Sequence, residues 1–218
     1  MASRRGYGEA CPVAHALDLI GERWALLVVR ELRLGPKRYS DLQASLPGAG
    51  PNVLSQRLRD LEAGGVLRRR TLPPPANARV YELTPWGAEL EPVFRALARW
   101  GMRSPMPRQG RLSSDSIMLG LHTFFDTAHA CDPAQRWTAR YEFHLDRDVY
   151  RLHVVDGGVK ELVRGDAGDP ADVVVSGPRT GVQALLEGDT PPPTVTVTGD
   201  RSALDRLLAA TRTPTTDG

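Results

Sequence analysis

Along the first hundred residues, apolar positions recur mostly at helical spacing. Pro12 suits the first turn of a helix running to about Ile20, and Gly21 closes it. ERWALLVVREL follows; its apolar run extends past the usual strand length, which predicts a buried helix ended by Gly35-Pro36. Ser40 is expected to cap a short helix, SDLQASL, stopped at Pro47-Gly48. Asn52 is expected to cap the next, VLSQRLRDLEA. On that helix Leu54, Leu58 and Leu61 share one side. Asn52, Ser55, Gln56 and Arg59 fall on the other, with Arg57 on the flank. Two strand-like runs, VLRRRTL and ARVYELT, come next, joined by PPPAN. Pro85 then opens a last helix carrying Leu90, Val93, Phe94, Leu97 and Trp100.

The second half has a different rhythm. Residues 114–130 read as one helix. From Trp137 to Leu145 apolar and polar residues alternate, the signature of a half-buried strand. Val149–Val155, VKELVRG and ADVVVS are further strands, with a turn at Asp156-Gly157-Gly158. A helix near Gly181–Glu187, the strand TVTVTG and the helix SALDRLLAA complete the pattern. The fold class expected is α+β: an N-terminal helical domain with a hairpin, then a mostly antiparallel sheet covered by helices. The domains expected are 1–103 and 114–212, with a Gly/Pro/Ser/Arg-rich linker at 104–113 and a disordered tail at 213–218.

Charge separates the halves. Residues 1–110 hold 17 Lys/Arg and 10 Asp/Glu, whereas residues 111–218 hold 11 and 16. The first half is therefore the one expected to meet a polyanion. No apolar run is long enough to span a membrane, and the N-terminus lacks the apolar core of a secretory signal. With only Cys11 and Cys131, no disulfide framework or zinc cluster is expected, and the cytoplasm is the expected compartment. The five histidines show no metal-ligand spacing. No nucleophile elbow, phosphate loop or dinucleotide fingerprint occurs, so neither an enzyme nor a cofactor is expected.

A helix, a short turn, a second helix with a polar face and a basic hairpin make a winged helix-turn-helix pattern. Such a helix fits the DNA major groove. Arg68, Arg69, Arg70 and Arg79 on the hairpin offer charge to phosphates or to a narrow minor groove. The run CPVAHALDLIGERWALLVVRELRLGPKRYSDLQASLPG, then LSQRLRDLEAGGVLRRR and RVYELTPWG, resembles the HxlR-type regulators, bacterial winged-helix proteins related to the MarR group. The resemblance covers roughly residues 9–103. It implies a homodimer on a pseudo-palindromic DNA site, joined through residues 11–20 and 85–102, with Trp100 and Phe94 as interface candidates. It puts Asn52, Ser55, Gln56, Arg57 and Arg59 on the recognition helix, Arg79 on the wing, and Tyr39 and Ser40 where a backbone phosphate sits. The stiff PPPAN tip departs from the family's wing.

Residues 136–210 resemble the sterol-carrier-protein-2-like (SCP2-like) fold, through the DGG turn, GDPADVVVSGP, LLEGD and VTVTGDRSALDRLL. That resemblance implies a cavity for a hydrophobic, lipid-like small molecule, lined by Leu121, Phe124, Phe125, Tyr141 and Phe143. The integrated expectation is a dimeric, ligand-responsive DNA-binding regulator that represses by occupying promoters. Two other readings stay open. Cys11 opens a helix, where a thiolate is favoured, and some HxlR-type proteins resemble redox or electrophile sensors through a cysteine there. Alternatively, the chain is a hydrophobic-ligand carrier with vestigial DNA binding.

Overall fold

The computed structural model describes residues 6–126, 136–165 and 168–211. Contacts divide the chain into two units, Met1–Leu97 and Ala98–Gly218.

In the first unit, α1 (Pro12–Ile20) begins with Pro12 in its first turn and ends at Gly21. Helix α2 (Ala25–Leu32) starts three residues later than its sequence pattern suggests. The reason is Trp24, whose backbone is left-handed at φ 77° and cannot continue a helix backwards. Its ring packs against the core. A Cβ at Gly48 would lie 2.7 Å from that ring, so the approach requires glycine. Helix α3 (Tyr39–Ser45) is capped from Arg38 rather than Ser40; the Asp41 carboxylate reaches back to the Arg38 N–H at 3.2 Å. Helix α4 (Pro51–Ala63) is capped by Gly50, not Asn52, because Pro51 takes the first helical position and needs no N–H there.

Strands β1 (Leu67–Thr71) and β2 (Arg79–Leu83) pair antiparallel from Leu67↔Leu83 to Thr71↔Arg79. Lys37 adds a bridge to Tyr81. The single helix expected after Pro85 is two, α5 (Pro85–Ala88) and α6 (Glu91–Met102). Pro92 explains the break: it has no N–H to donate to the Ala88 carbonyl. Side chains from α1 to α4 and the wing form one core, with Val28, Val29, Leu42, Leu54, Leu58 and Leu61 at its centre.

The second unit opens with α7 (Ser114–Phe124), whose Ser113 cap accepts the Ser116 N–H at 3.1 Å. Residues 127–130 of the expected helix lie outside the described residues, as do Cys131 and the tail after Thr211. The sheet has the order β5-β4-β3-β6-β7. Its strands are β3 (Ala139–Leu145), β4 (Asp148–Val155), β5 (Gly158–Arg164), β6 (Val173–Gly177) and β7 (Thr196–Gly199). All neighbours are antiparallel except β3 and β6, which run parallel. Along β3 every second residue is buried, as its alternation predicts. Helices α7, α8 (Arg179–Glu187) and α9 (Arg201–Thr211) pack on one another, and α8 and α9 also contact β6. Inside, the Asp115 carboxylate has no exposed surface. It accepts the Tyr150 hydroxyl at 2.5 Å and both oxygens meet Arg164 Nη1, at 2.7 and 3.0 Å. No helix among the described residues is long and apolar enough to cross a membrane.

Candidate nucleic-acid interface

Helix α4 is amphipathic in the sense its spacing requires. Leu54, Leu58 and Leu61 are buried, which turns Asn52, Gln56 and Arg59 outward; Ser55 and Arg57 are half-buried. The outward residues do not wave freely. Arg59 Nη2 donates to Gln56 Oε1 at 2.7 Å, and Gln56 Nε2 donates to Asp60 Oδ1 at 2.8 Å. The other Asp60 oxygen lies 3.3 Å from Arg57 Nη2, and Arg57 Nη1 lies 3.2 Å from Glu22 Oε2. Arg57, expected as a DNA contact, is therefore held between two carboxylates of its own unit. A cleft of about 740 Å³ runs beside this chain of contacts, bordered by Tyr7, Asp18, Glu22, Gln56, Arg57 and Asp60.

Tyr39 ties α3 to α4. Its hydroxyl donates to the Pro51 carbonyl at 3.0 Å and accepts from Ser55 Oγ at 3.3 Å. Tyr39 and Ser55 thus set the geometry of the helix-turn-helix before any ligand arrives. Ser40 is exposed in the first turn of α3, its hydroxyl donating to Asp41 Oδ1 at 3.3 Å.

On the wing, Arg68 and Arg70 share Glu82, at 2.7 and 2.9 Å, and Arg69 meets Glu62 at 2.9 Å while lying over the Tyr81 ring. These arginine side chains remain about half exposed. Pairs exposed on both sides stabilise little, about 0–1 kcal/mol; Arg69–Glu62 comes near that case, whereas Glu82 is only 13% exposed and is poorly solvated without its arginines. Arg79 is exposed and has no ion-pair partner among the described residues. Sequence reasoning missed the acids. Asp60 had a legible signal, four residues after Gln56 and three after Arg57, the spacings that meet on a helix. Glu22 and Glu82 had none, because their partners come from other elements.

The aromatic residues of the second unit are packed. Leu121, Phe125, Tyr141 and Phe143 are buried and Phe124 is half-buried. Trp137 Nε1 donates to the Tyr141 hydroxyl at 2.8 Å, which itself donates to the Ala203 carbonyl at 2.8 Å. The Phe125 and Trp137 rings are 6.0 Å apart. Burial pushes the Tyr141 phenol up to about 12. Cys11 is half-buried at the start of α1, and the backbone N–H groups of Ala14 and Val13 hold its thiol below the usual range. Of the interface candidates, Phe94 packs on the first unit's core beneath Arg33, whereas Trp100 is 70% exposed. Among the described residues no group of His, Cys, Asp and Glu is placed to hold a metal.

Four helices, a basic two-stranded wing and an exposed polar helix face define a winged helix-turn-helix protein. The HxlR-like helix-turn-helix family matches residues 19–109. An uncharacterized HTH-type transcriptional regulator of Synechocystis sp., sll1512, is 38% identical over 43% of this chain and 70% of its own length. Another, YvaP of Bacillus subtilis, is 37% identical over 42% of this chain and 86% of its own. A solved structure of the reduced form of the transcriptional regulator YodB from B. subtilis is 30% identical; it matches 46% of this chain and all of its own, at a TM-score of 0.41. The chain belongs to the HxlR-like helix-turn-helix family, whose members named here are transcriptional regulators.

Proposed function

We propose that the protein is a homodimeric repressor that reads a pseudo-palindromic duplex with two copies of α4. The observation that carries this reading is the outward face of α4, with Asn52, Gln56 and Arg59 exposed beside a wing bearing Arg68, Arg69, Arg70 and Arg79. Amide and guanidinium groups on one helix face match the donor and acceptor edges of the major groove. Ser40 and Arg79 take backbone phosphates, which fix register without reading sequence. Tyr39 and Ser55 hold α4 at its entry angle. The dimer forms through α1 and α6, which leave Val13, Leu17, Val93, Leu97 and Trp100 exposed within one chain. Two-fold symmetry then sets half-sites about one helical turn apart.

The test is selection from a pool of random duplexes by the purified full chain. A two-fold symmetric motif is expected. Gln56→Ala and Arg59→Ala should each weaken binding to it by about 1–3 kcal/mol. An unenriched pool, or a motif indifferent to both changes, rejects this reading.

Regulation by a hydrophobic effector belongs to the second unit, whose order of strands and helices fits the SCP2-like reading. Leu121, Phe124, Phe125, Tyr141 and Phe143 would have to part to admit it, so the effector acts by favouring an opened packing. Among them Tyr141 and Phe143 stack with ring centroids 6.3 Å apart, and Phe125 lies 6.0 Å from the Trp137 ring. Native mass spectrometry of the freshly purified chain is expected to show a discrete small-molecule adduct. A clean mass that titration with fatty acids leaves unchanged would reject the effector.

One observation favours a second reading. The Cys11 thiol is held below its usual range at a helix start, which raises its thiolate fraction at neutral pH. A redox or electrophile sensor predicts that oxidant releases the selected duplex and that Cys11→Ser abolishes the response. Release that persists in Cys11→Ser rejects it.

A further inference from the structure

The amide of Gln56 has two ends, and on many surfaces either can face either way. Here the partners decide. A guanidinium only donates, so the atom 2.7 Å from Arg59 Nη2 is the carbonyl oxygen. A carboxylate only accepts, so the atom 2.8 Å from Asp60 Oδ1 is the amide nitrogen. The orientation is dictated by chemistry. A side-chain amide carries two acceptor lone pairs and two N–H donors. The contacts along α4 consume one of each. What remains is one acceptor site and one N–H on an exposed side chain. That pair complements the N6–H donor and N7 acceptor of adenine in the major groove.

Asp60 is itself held. Its second oxygen is 3.3 Å from Arg57, which is anchored in turn on Glu22 at 3.2 Å. The carboxylate cannot swing away without breaking that contact. Binding therefore does not have to restrict the whole Gln56 rotor on meeting the base.

We propose that Asp60 is a positioning residue for sequence readout, orienting Gln56 to recognise an adenine. This rests on the DNA-reading role of α4. Asp60 touches no base; it acts by choosing which end of the Gln56 amide faces which way. Once Arg59 turns to its own base, Asp60 alone holds the amide; an asparagine there both donates and accepts, so it satisfies Gln56 in either orientation and releases the choice.

The experiment is selection from random duplexes by the full-length wild type, Gln56→Ala, Asp60→Asn and Asp60→Glu, with thermal melting of each protein. The first two identify the base position that Gln56 reads. Adenine is expected there for the wild type. Asp60→Asn should lower the preference for it over other bases by about tenfold, leaving preferences at other positions intact. Asp60→Glu, which still only accepts, should restore it. The readout is a ratio between bases, so a general gain in affinity from removing a negative charge does not mimic the effect. A merely structural role would shift melting and all positions together. A different base at the Gln56 position, or an Asp60→Asn protein with wild-type preference, overturns the proposal while leaving DNA binding by α4 standing. A pool that the wild type fails to enrich removes the DNA-reading role itself, and this proposal with it.

Discussion

The ammonium of Lys37 lies 2.8 Å from Oε2 of Glu31, a carboxylate with no exposed surface. Lys37 also donates to Ser45 Oγ at 2.9 Å, and Arg30 meets the other Glu31 oxygen at 2.7 Å. One buried charge thus fastens α2, the turn after it and α3, the framework that carries α4. Removing one partner of a buried pair leaves the other poorly solvated. Lys37→Met is expected to cost about 3 kcal/mol in urea unfolding. Arg30 still pairs with Glu31 in that variant, which keeps the loss at the low end for a broken buried pair.

Gly87 and Gly120 should respond to alanine with opposite signs. A Cβ at Gly87 would fall 1.9 Å from the Val66 carbonyl oxygen, a backbone atom that cannot yield. Gly87→Ala is expected to destabilise by about 3 kcal/mol, by forcing apart α5 and the start of the wing. Gly120 lies inside α7, and a Cβ there meets nothing within 4 Å. Gly120→Ala should stabilise by about 0.5–1 kcal/mol through the unfolded chain's lost freedom. Thermal melting of the two variants checks both.

The two buried tyrosines predict a loss of stability in alkali. Tyr141 is pushed from 10.0 to about 12 by burial, and Tyr150 is raised further, by burial first and then by the Asp115 charge beside it. A phenol whose folded value is raised keeps its proton when the unfolded chain gives it up. The stability it contributes is complete below pH 10.0 and is lost as pH climbs towards about 12. Urea unfolding should therefore weaken steadily across that window. Tyr141→Phe should flatten the slope near its lower end.

Cys11 should titrate early. In a Cys131→Ser background, the pH midpoint for alkylation by iodoacetamide is expected below the 9.0 of an ordinary thiol. The cause is donation from the backbone N–H groups of Ala14 and then Val13, so disrupting the helix start should move the midpoint back up. A midpoint at or above the ordinary value would remove the basis of the sensor reading.

Much of the architecture was legible in residue order. The Leu54, Leu58 and Leu61 stripe determines which side of α4 faces the core, and so which side faces solvent. The alternation from Ala139 to Leu145 gives β3 its buried face. These are local consequences of periodicity, because which face is buried follows from the 3.6-residue turn or the two-residue pleat. Helix starts were less legible. At Trp24 a left-handed residue, and at Pro51 and Pro92 a missing N–H, override simple capping rules.

Partner choice is what tertiary structure alone decided. Arg68 finds Glu82 across the wing, Arg57 finds Glu22 in the turn between α1 and α2, and Tyr150 finds Asp115 thirty-five residues away. A basic hairpin read from sequence becomes one whose arginines are largely matched by acids, leaving Arg79 without an ion-pair partner among the described residues. Tyr141 and Phe143, the cavity lining that the SCP2-like resemblance implies, are buried, and the Trp137 indole and the Ala203 carbonyl meet at the Tyr141 phenol. The physical reason is range. Burial periodicity is written along one element, whereas the end of a long charged or aromatic side chain settles on whichever complementary group the finished fold brings within about 3 Å.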